Sequence, residues 1–421
     1  MKSNLFLFLF LLCNIHQSTS QDEKVLFIGN SYTFVENIPN MLYEVANSAG
    51  DVLIVEAETT GGGTFEHHAT SQDVTNKINS DDWDFIVLQG QSIEVALTGL
   101  YFDFNVAPYA AQLIETIRDN NNCTQPIFYN TWGRKFGISG SLCTSYPWVC
   151  TYEGMDDELA QNYRILADTH DAVISPVGPV WRYLREHIFP VPIELYQIDN
   201  SHQSLEGAYA SACTFYSIIL RKDPTLITYN PGIDPVAAFH IRNAVKVVVY
   251  DQLDLWKVGE FDPISSFLYS ENNGAVSFTN TSSNATNYAW DFGDGSTSTD
   301  ENPMHTYSEN GDYDVVFTVT ACGVSHTYSE TISVNSLSLN EHELSELKMF
   351  PNPAQNLISF SGFNFENIKS ISLYDLLGKK LKINRNQNEM VIDISKLSIG
   401  SYFIEFIAKN GSKEIRRVIK K

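Results

Sequence analysis

Between Glu23 and Trp256, short runs of β-branched and aromatic residues alternate with longer stretches whose apolar residues recur at helical spacing. Val25-Leu-Phe-Ile28, Val52-Leu-Ile-Val55, Phe85-Ile-Val-Leu88, Ile127-Phe-Tyr129 and Ala172-Val-Ile174 read as strands; Ile38–Ser48, Val106–Arg118, Asp157–His170 and Ser204–Leu220 read as amphipathic helices. Uninterrupted apolar strands suit a sheet covered on both faces, and strict alternation with helices favours parallel strands between two helical layers. The expected fold class is therefore α/β, with the helically spaced Asp234–Leu255 closing the domain.

The first strand carries the chemistry, because it ends in Gly29-Asn30-Ser31-Tyr32-Thr33. Ligands of such sheets bind beyond the carboxyl ends of the strands, which makes Ser31 the candidate nucleophile. A serine hydroxyl is a poor nucleophile without a base, an orienting carboxylate and donors for an oxyanion. Asp199-Asn200-Ser201-His202 supplies the first two. With Asp three residues before His on one turn, the Asp199 carboxylate reaches His202 Nδ1 while Nε2 faces Ser31.

The donors are expected in turns after the second and third strands, which end on the same rim. The first turn is Thr59-Thr60-Gly61-Gly62-Gly63-Thr64, where glycines let backbone N–H groups approach a negative oxygen. Gly62 is the first choice and Gly63 the reserve, beside the N–H of Ser31 itself. The second is Leu88-Gln89-Gly90-Gln91-Ser92, where the Gln89 amide is assigned a donor role, with Gln91 in reserve.

Gly29-Asn30-Ser31 at the start, the glycine turn, the Gln-Gly-x-Ser element and the late Asp-x-x-His together resemble the SGNH (GDSL-like) hydrolase family, closest to its sialate O-acetylesterase-like branch. The resemblance implies a flavodoxin-like parallel sheet and a metal-free serine esterase mechanism. Two positions depart from the family pattern. The usual Gly-x-Asn is absent, with Gln89 in its place, and Gln203 follows His202 where proline is common. The α/β-hydrolase elbow, Gly-x-Ser-x-Gly, is a poor alternative because Thr33 stands where its second glycine belongs.

Met1–Ser20 reads as a secretory signal peptide: Lys2, a Leu/Phe run too short to cross a bilayer, then small and polar residues. Leu12 before Cys13 argues against a lipoprotein signal. No later run is long enough to span a membrane. The hydrolase domain is expected over 21–260. A proline-bearing linker at Phe261–Ser265 then leads to alternating strand-like segments over 262–335. There Trp290-Asp-Phe-Gly-Asp-Gly295, Pro303-Met-His-Thr-Tyr307 and Gly311-Asp-Tyr313 resemble the PKD domain, an Ig-like β-sandwich. Asp291 and Asp294 are read first as turn formers and second as calcium ligands.

Over 346–421, Met349-Phe-Pro-Asn-Pro-Ala354, Ile371–Gly378 and Leu397–Ile404 are similar to the C-terminal sorting domain of type IX secretion substrates. That resemblance implies a Bacteroidetes-type source, passage through the type IX machinery across the outer membrane, and a secreted or cell-surface address. From the residues alone the segment is a small β-sandwich.

The net charge of −23 is uneven: the acidic excess lies before Asn340, and the final segment is basic. An acidic body lacks the clustered Lys and Arg that phosphate backbones require, which excludes nucleic acid as a partner. Cys123, Cys143, Cys150, Cys213 and Cys322 remain after signal removal. Cys143 and Cys150 bracket a short loop suited to a disulfide, and the odd count leaves a thiol over. Adjacent His67 and His68 point to different faces, so no metal or other cofactor is expected.

Thr131-Trp-Gly-Arg134, Tyr146-Pro-Trp148, Trp181 and Tyr183 either stack on sugar rings at the rim or pack in the core. No long apolar acyl tunnel is evident. The expected activity is hydrolysis of short-chain, acetyl-type esters on carbohydrates through an acyl-enzyme on Ser31. The alternatives are an inert adhesion protein acting through its PKD domain, or a lipase- or thioesterase-type GDSL hydrolase.

Overall fold

A computed structural model describes residues 22–272, 274–335, 347–362, 367–385, 391–409 and 413–421. The segment expected to be a signal peptide, Met1–Ser20, lies outside the described residues. The chain divides into two units, Met1–Asp262 and Pro263–Lys421.

The first unit is built on five strands: β1 (Glu23–Gly29), β2 (Leu53–Thr59), β3 (Phe85–Leu88), β4 (Gln125–Tyr129) and β5 (Val173–Ser175). All pair in parallel in the order β2-β1-β3-β4-β5. This is the flavodoxin-like doubly wound order expected from the sequence, and its direction reverses between β1 and β3. Successive strand side chains point to opposite faces, yet Val25, Leu26, Phe27 and Ile28 are all at most 1% exposed. The sheet is therefore covered on both sides. Helix Leu205–Leu220 packs against both Ile38–Ser48 and Pro235–Val248 in one layer, while Phe65–Thr70 and Ala107–Asn120 pair in another.

Caps set several helix starts. Thr64 accepts from His67 N–H, Thr151 from Gly154 N–H and Ser204 from Gly207 N–H. Gly207 also lets its helix close on the preceding segment, since a Cβ there would lie 2.4 Å from Leu195 O. No helix among the described residues is long and apolar enough to cross a membrane.

In the second unit, residues 267–334 form a three-stranded sheet and a four-stranded sheet, both antiparallel, around Phe267, Phe278, Trp290 and Phe317. Asp291 Oδ1 accepts from Gly293 N–H and Asp294 Oδ1 from Ser296 N–H. Asp294 Oδ2 lies 2.7 Å from His305 Nε2. Both carboxylates are thus engaged in local turn bonding. The described residues between 348 and 420 form two further four-stranded antiparallel sheets around Ile358, Leu373, Ile404 and Phe406.

Candidate active site

Ser31 stands where β1 stops, at the β1/β3 reversal. Backbone bonds bring three strand ends together: Thr60 N–H donates to Gly29 O at 3.0 Å, and Gln89 N–H to Ile28 O at 2.9 Å. Glycine at 29 is required by space, since a Cβ would fall 2.3 Å from Thr33 Oγ1 and 2.8 Å from Gln89 Oε1. Buried Asn30 then turns the chain. Its Oδ1 accepts from Tyr32 N–H, capping the short helix Ser31–Phe34, and its Nδ2 donates to Gly63 O at 2.9 Å.

The structure brings Ser31, His202 and Asp199 together. His202 Nε2 lies 2.8 Å from Ser31 Oγ, and His202 Nδ1 lies 2.5 Å from Asp199 Oδ2. A carboxylate can only accept, so Nδ1 carries the proton and the Nε2 lone pair faces the serine hydroxyl. Asp199 Oδ1 accepts from the N–H groups of Ser201 and His202, each at 3.0 Å. Partial burial pushes the Asp199 carboxyl up, but the bonds from His202 and these two N–H groups outweigh it and hold the group below its usual 3.8.

The turn bearing Asp199 and His202 is the tip of a hairpin, in which Gln197 N–H donates to His202 O and Ser204 N–H to Leu195 O. Its register against Ser31 is fixed by the sequence neighbours of Ser31 and His202. Tyr32 Oη and Ser201 Oγ are 2.7 Å apart, and Trp132 Nε1 donates to Ser201 O at 3.0 Å. Tyr32 and Trp132 stack with ring centroids 4.7 Å apart. Fully buried Gln203 donates from Nε2 to Val35 O at 2.7 Å and to Tyr32 O at 3.2 Å. The glutamine that replaces a proline thus ties the histidine turn to the serine turn.

On the oxyanion side, the N–H groups of Ser31 and Gly62 have no hydrogen-bond partner among the described residues. Gly62 adopts φ +69° and its Cβ position is open. Gly63, the reserve, does not qualify, because its N–H closes the turn onto Thr60 O at 2.9 Å. The donor role expected of Gln89 also needs correction. Its side chain is 1% exposed; Oε1 accepts from Asn30 N–H at 2.8 Å and from the Thr33 hydroxyl at 3.0 Å, while Nε2 donates to Gly90 O. Gln91 Oε1 caps the helix Ser92–Ala96 through the N–H groups of Ile93 and Glu94.

Glu94 and His68 lie behind these turns; sequence reasoning did not single out Glu94 and weighed His68 only as a metal ligand. One Glu94 oxygen accepts from both Phe65 N–H and Gln91 N–H, joining the turns after β2 and β3. Burial pushes its pKa up to about 7, against the pull of those two donors. The available signal was the Gln91-x-x-Glu94 spacing, which is that of a capping box. His68 is buried against Gly63, where a Cβ would lie 2.6 Å from the ring, and burial lowers its pKa to about 4. No group of three or more metal-ligating side chains occurs among the described residues.

Of the rim aromatics, Trp132 and Trp181 are fully buried and stacked at 3.8 Å, so they belong to the core. Tyr183 stacks on His187 at 3.9 Å, and Trp148 Nε1 donates to Ala96 O. Cys143 and Cys150 form a disulfide, and Cys213 is a buried free thiol whose pKa burial pushes up to about 12.

Two family models match the chain: "PKD domain" over residues 270–335 and "Secretion system C-terminal sorting domain" over residues 348–421. A microbial collagenase of Vibrio alginolyticus is 36% identical over 86 residues, 20% of this chain and 10% of that protein. The chain spans about a tenth of the length of the curated relatives it matches. Among solved structures, a DUF4886 family protein from Bacteroides uniformis is 19% identical with a TM-score of 0.46, covering 55% of this chain and 97% of that one. A protein assigned as an SGNH hydrolase from Slackia heliotrinireducens is 22% identical with a TM-score of 0.38, covering 47% and 100%.

A parallel α/β unit bearing a Ser-His-Asp constellation thus precedes two small β-domains. The first of these is a PKD domain, and the second carries a sorting domain of the kind that marks an exported chain.

Proposed function

We propose that this chain is an exported serine ester hydrolase of the SGNH type that removes short acyl groups, acetyl above all, from carbohydrates. The observation that carries the reading is the unbroken relay from Ser31 Oγ through His202 to Asp199, at 2.8 and 2.5 Å. Both distances lie within the reach that general-base activation of a serine needs.

In this mechanism Ser31 Oγ attacks the ester carbonyl while its proton passes to His202 Nε2. Asp199 holds the imidazole with its proton on Nδ1 and stabilises the cation as it forms. The carbonyl oxygen gains negative charge and is met by the unpaired N–H groups of Ser31 and Gly62. Collapse breaks the ester C–O bond, and the sugar oxygen leaves with the proton from His202. Water then attacks the acyl-Ser31 ester, giving its proton to the same nitrogen, and the acid departs as Ser31 recovers its hydrogen.

Hydrolysis of p-nitrophenyl acetate and longer-chain esters by the full chain, beside Ser31→Ala, tests this. Turnover that falls with chain length and vanishes in the variant is expected. Equal turnover by Ser31→Ala, or none by the folded wild type on any ester including acetylated glycans, would overturn it.

A further inference from the structure

A cavity of about 380 Å³ opens in the N-terminal unit and includes none of Ser31, Asp199 and His202 in its wall. Its volume falls in the range of small-molecule sites. It nevertheless shares a structural element with the triad, because Glu194, Leu195 and Tyr196 line it and belong to the hairpin that ends in the Asp199–His202 turn. The opposite strand of that hairpin holds them: Gln197 N–H donates to His202 O at 2.8 Å and Ser204 N–H to Leu195 O at 2.9 Å. Lys135, another lining residue, donates its backbone N–H to Asn200 O at 3.0 Å.

The lining selects a class of ligand. Arg185 lies over the Tyr152 ring at 3.8 Å and near the Tyr196 ring at 5.4 Å, so its cation is held above two buried aromatics. Lys135 Nζ is paired with Glu194 Oε2 at 2.7 Å. Both cations are thus committed, and the wall adds the carboxylates of Glu153 and Glu186. A phosphate or carboxylate ligand would meet more negative than positive charge, and a cationic ligand would meet Arg185 and Lys135. A neutral ligand rich in hydroxyls suits alternating donors and acceptors. Half-buried Phe189 adds a ring for an apolar C–H face.

We propose that this cavity is a subsite for a neutral sugar unit of the substrate glycan, adjoining the unit whose ester is cut at Ser31. Its place in catalysis rests on the ester-hydrolase reading above, whereas saccharide binding by the cavity does not. Glycan held there presses on the wall formed by Glu194 to Tyr196, which is continuous with the His202 turn. The acidic excess of the chain agrees with a neutral glycan in preference to a polyanionic one.

Calorimetry on the full chain carrying Ser31→Ala separates the two claims. Xylotetraose, cellotetraose, mannotetraose and chitotetraose are the neutral probes, and tetragalacturonic acid is the anionic one. At least one neutral probe should bind, with affinity falling tenfold or more on adding Arg185→Ala or, independently, Phe189→Ala; the anionic probe should not compete. Absence of binding by every neutral probe, unchanged affinity in both variants, or preference for the anionic probe would overturn the subsite. With Ser31 intact, either variant should lower the ratio of kcat/KM on the acetylated form of the bound tetrasaccharide to that on p-nitrophenyl acetate. An unchanged ratio overturns the subsite while leaving the esterase standing. Saccharide binding without hydrolysis of any ester would instead sink the esterase reading and leave the cavity as a saccharide site.

Discussion

Tyr32 Oη and Ser201 Oγ lie 2.7 Å apart, so the residue after the proposed nucleophile is bonded to the residue before the proposed base. The bond is buried and links chain positions 169 residues apart. Tyr32→Phe keeps the ring on Trp132 but strands the Ser201 hydroxyl. It should cost about 1–2 kcal/mol of stability and lower kcat several-fold with little change in KM. Thermal melts and steady-state kinetics on p-nitrophenyl acetate check this; an unchanged kcat would show that the clasp does not set the histidine.

Gln203 spans the same gap by a second route, donating to Val35 O and Tyr32 O from a fully buried position. Gln203→Ala removes both bonds and leaves a void. A loss of roughly 2–3 kcal/mol is expected, with kcat reduced about tenfold or more because His202 is no longer held within 3 Å of Ser31. Rescue by Gln203→Asn would contradict the geometry, since the shorter amide cannot reach both carbonyls.

Gln89 distinguishes a supporting role from oxyanion chemistry. Its carbonyl oxygen accepts from Asn30 N–H and Thr33 Oγ1 inside the core. Gln89→Ala should therefore lower Tm, by an amount corresponding to roughly 2–4 kcal/mol, together with activity. A fall of a hundredfold in kcat at unchanged Tm would restore the donor role.

Glu94 gives the first unit a pH dependence of defined sign. Burial raises its carboxyl from 4.5 to about 7 in the folded protein. Below pH 4.5 both folded and unfolded chains are protonated at this group, and its contribution is whole. As pH rises from 4.5 towards 7 the unfolded chain deprotonates first, so stability is lost across that window, by an amount on the order of 3 kcal/mol. Glu94→Gln keeps an acceptor for Phe65 and Gln91 N–H and should flatten this part of the Tm–pH curve. A curve of unchanged shape would contradict the assignment.

Much of this was legible in the sequence, for identifiable reasons. β1 and β3 are continuous apolar runs because both faces are covered, and that pattern fixes the strand type without tertiary information. The Asp199–His202 spacing is local, so one turn brings the carboxylate to Nδ1. The errors fall where long-range packing decides a side chain's partners. Gln89 is adjacent to a glycine turn in sequence, but Asn30 and Thr33 of another strand end consume its acceptor. Trp132 and Trp181 fit a sugar platform and a core equally well by residue type, and only the packing shows that they stack on each other in the core. Gln203 stands out in the sequence only as a departure from a common proline, since nothing local reveals that its amide reaches the Ser31 helix.

The central claim is that Ser31 is an activated nucleophile, and covalent labelling reads it directly. The full chain would be treated with a fluorophosphonate, digested and mapped by mass spectrometry, beside Ser31→Ala and His202→Ala. One adduct is expected, on the peptide containing Ser31, absent from Ser31→Ala and slowed at least a hundredfold in His202→Ala. No adduct on the folded wild type, or an adduct on a different serine that persists in Ser31→Ala, would contradict it.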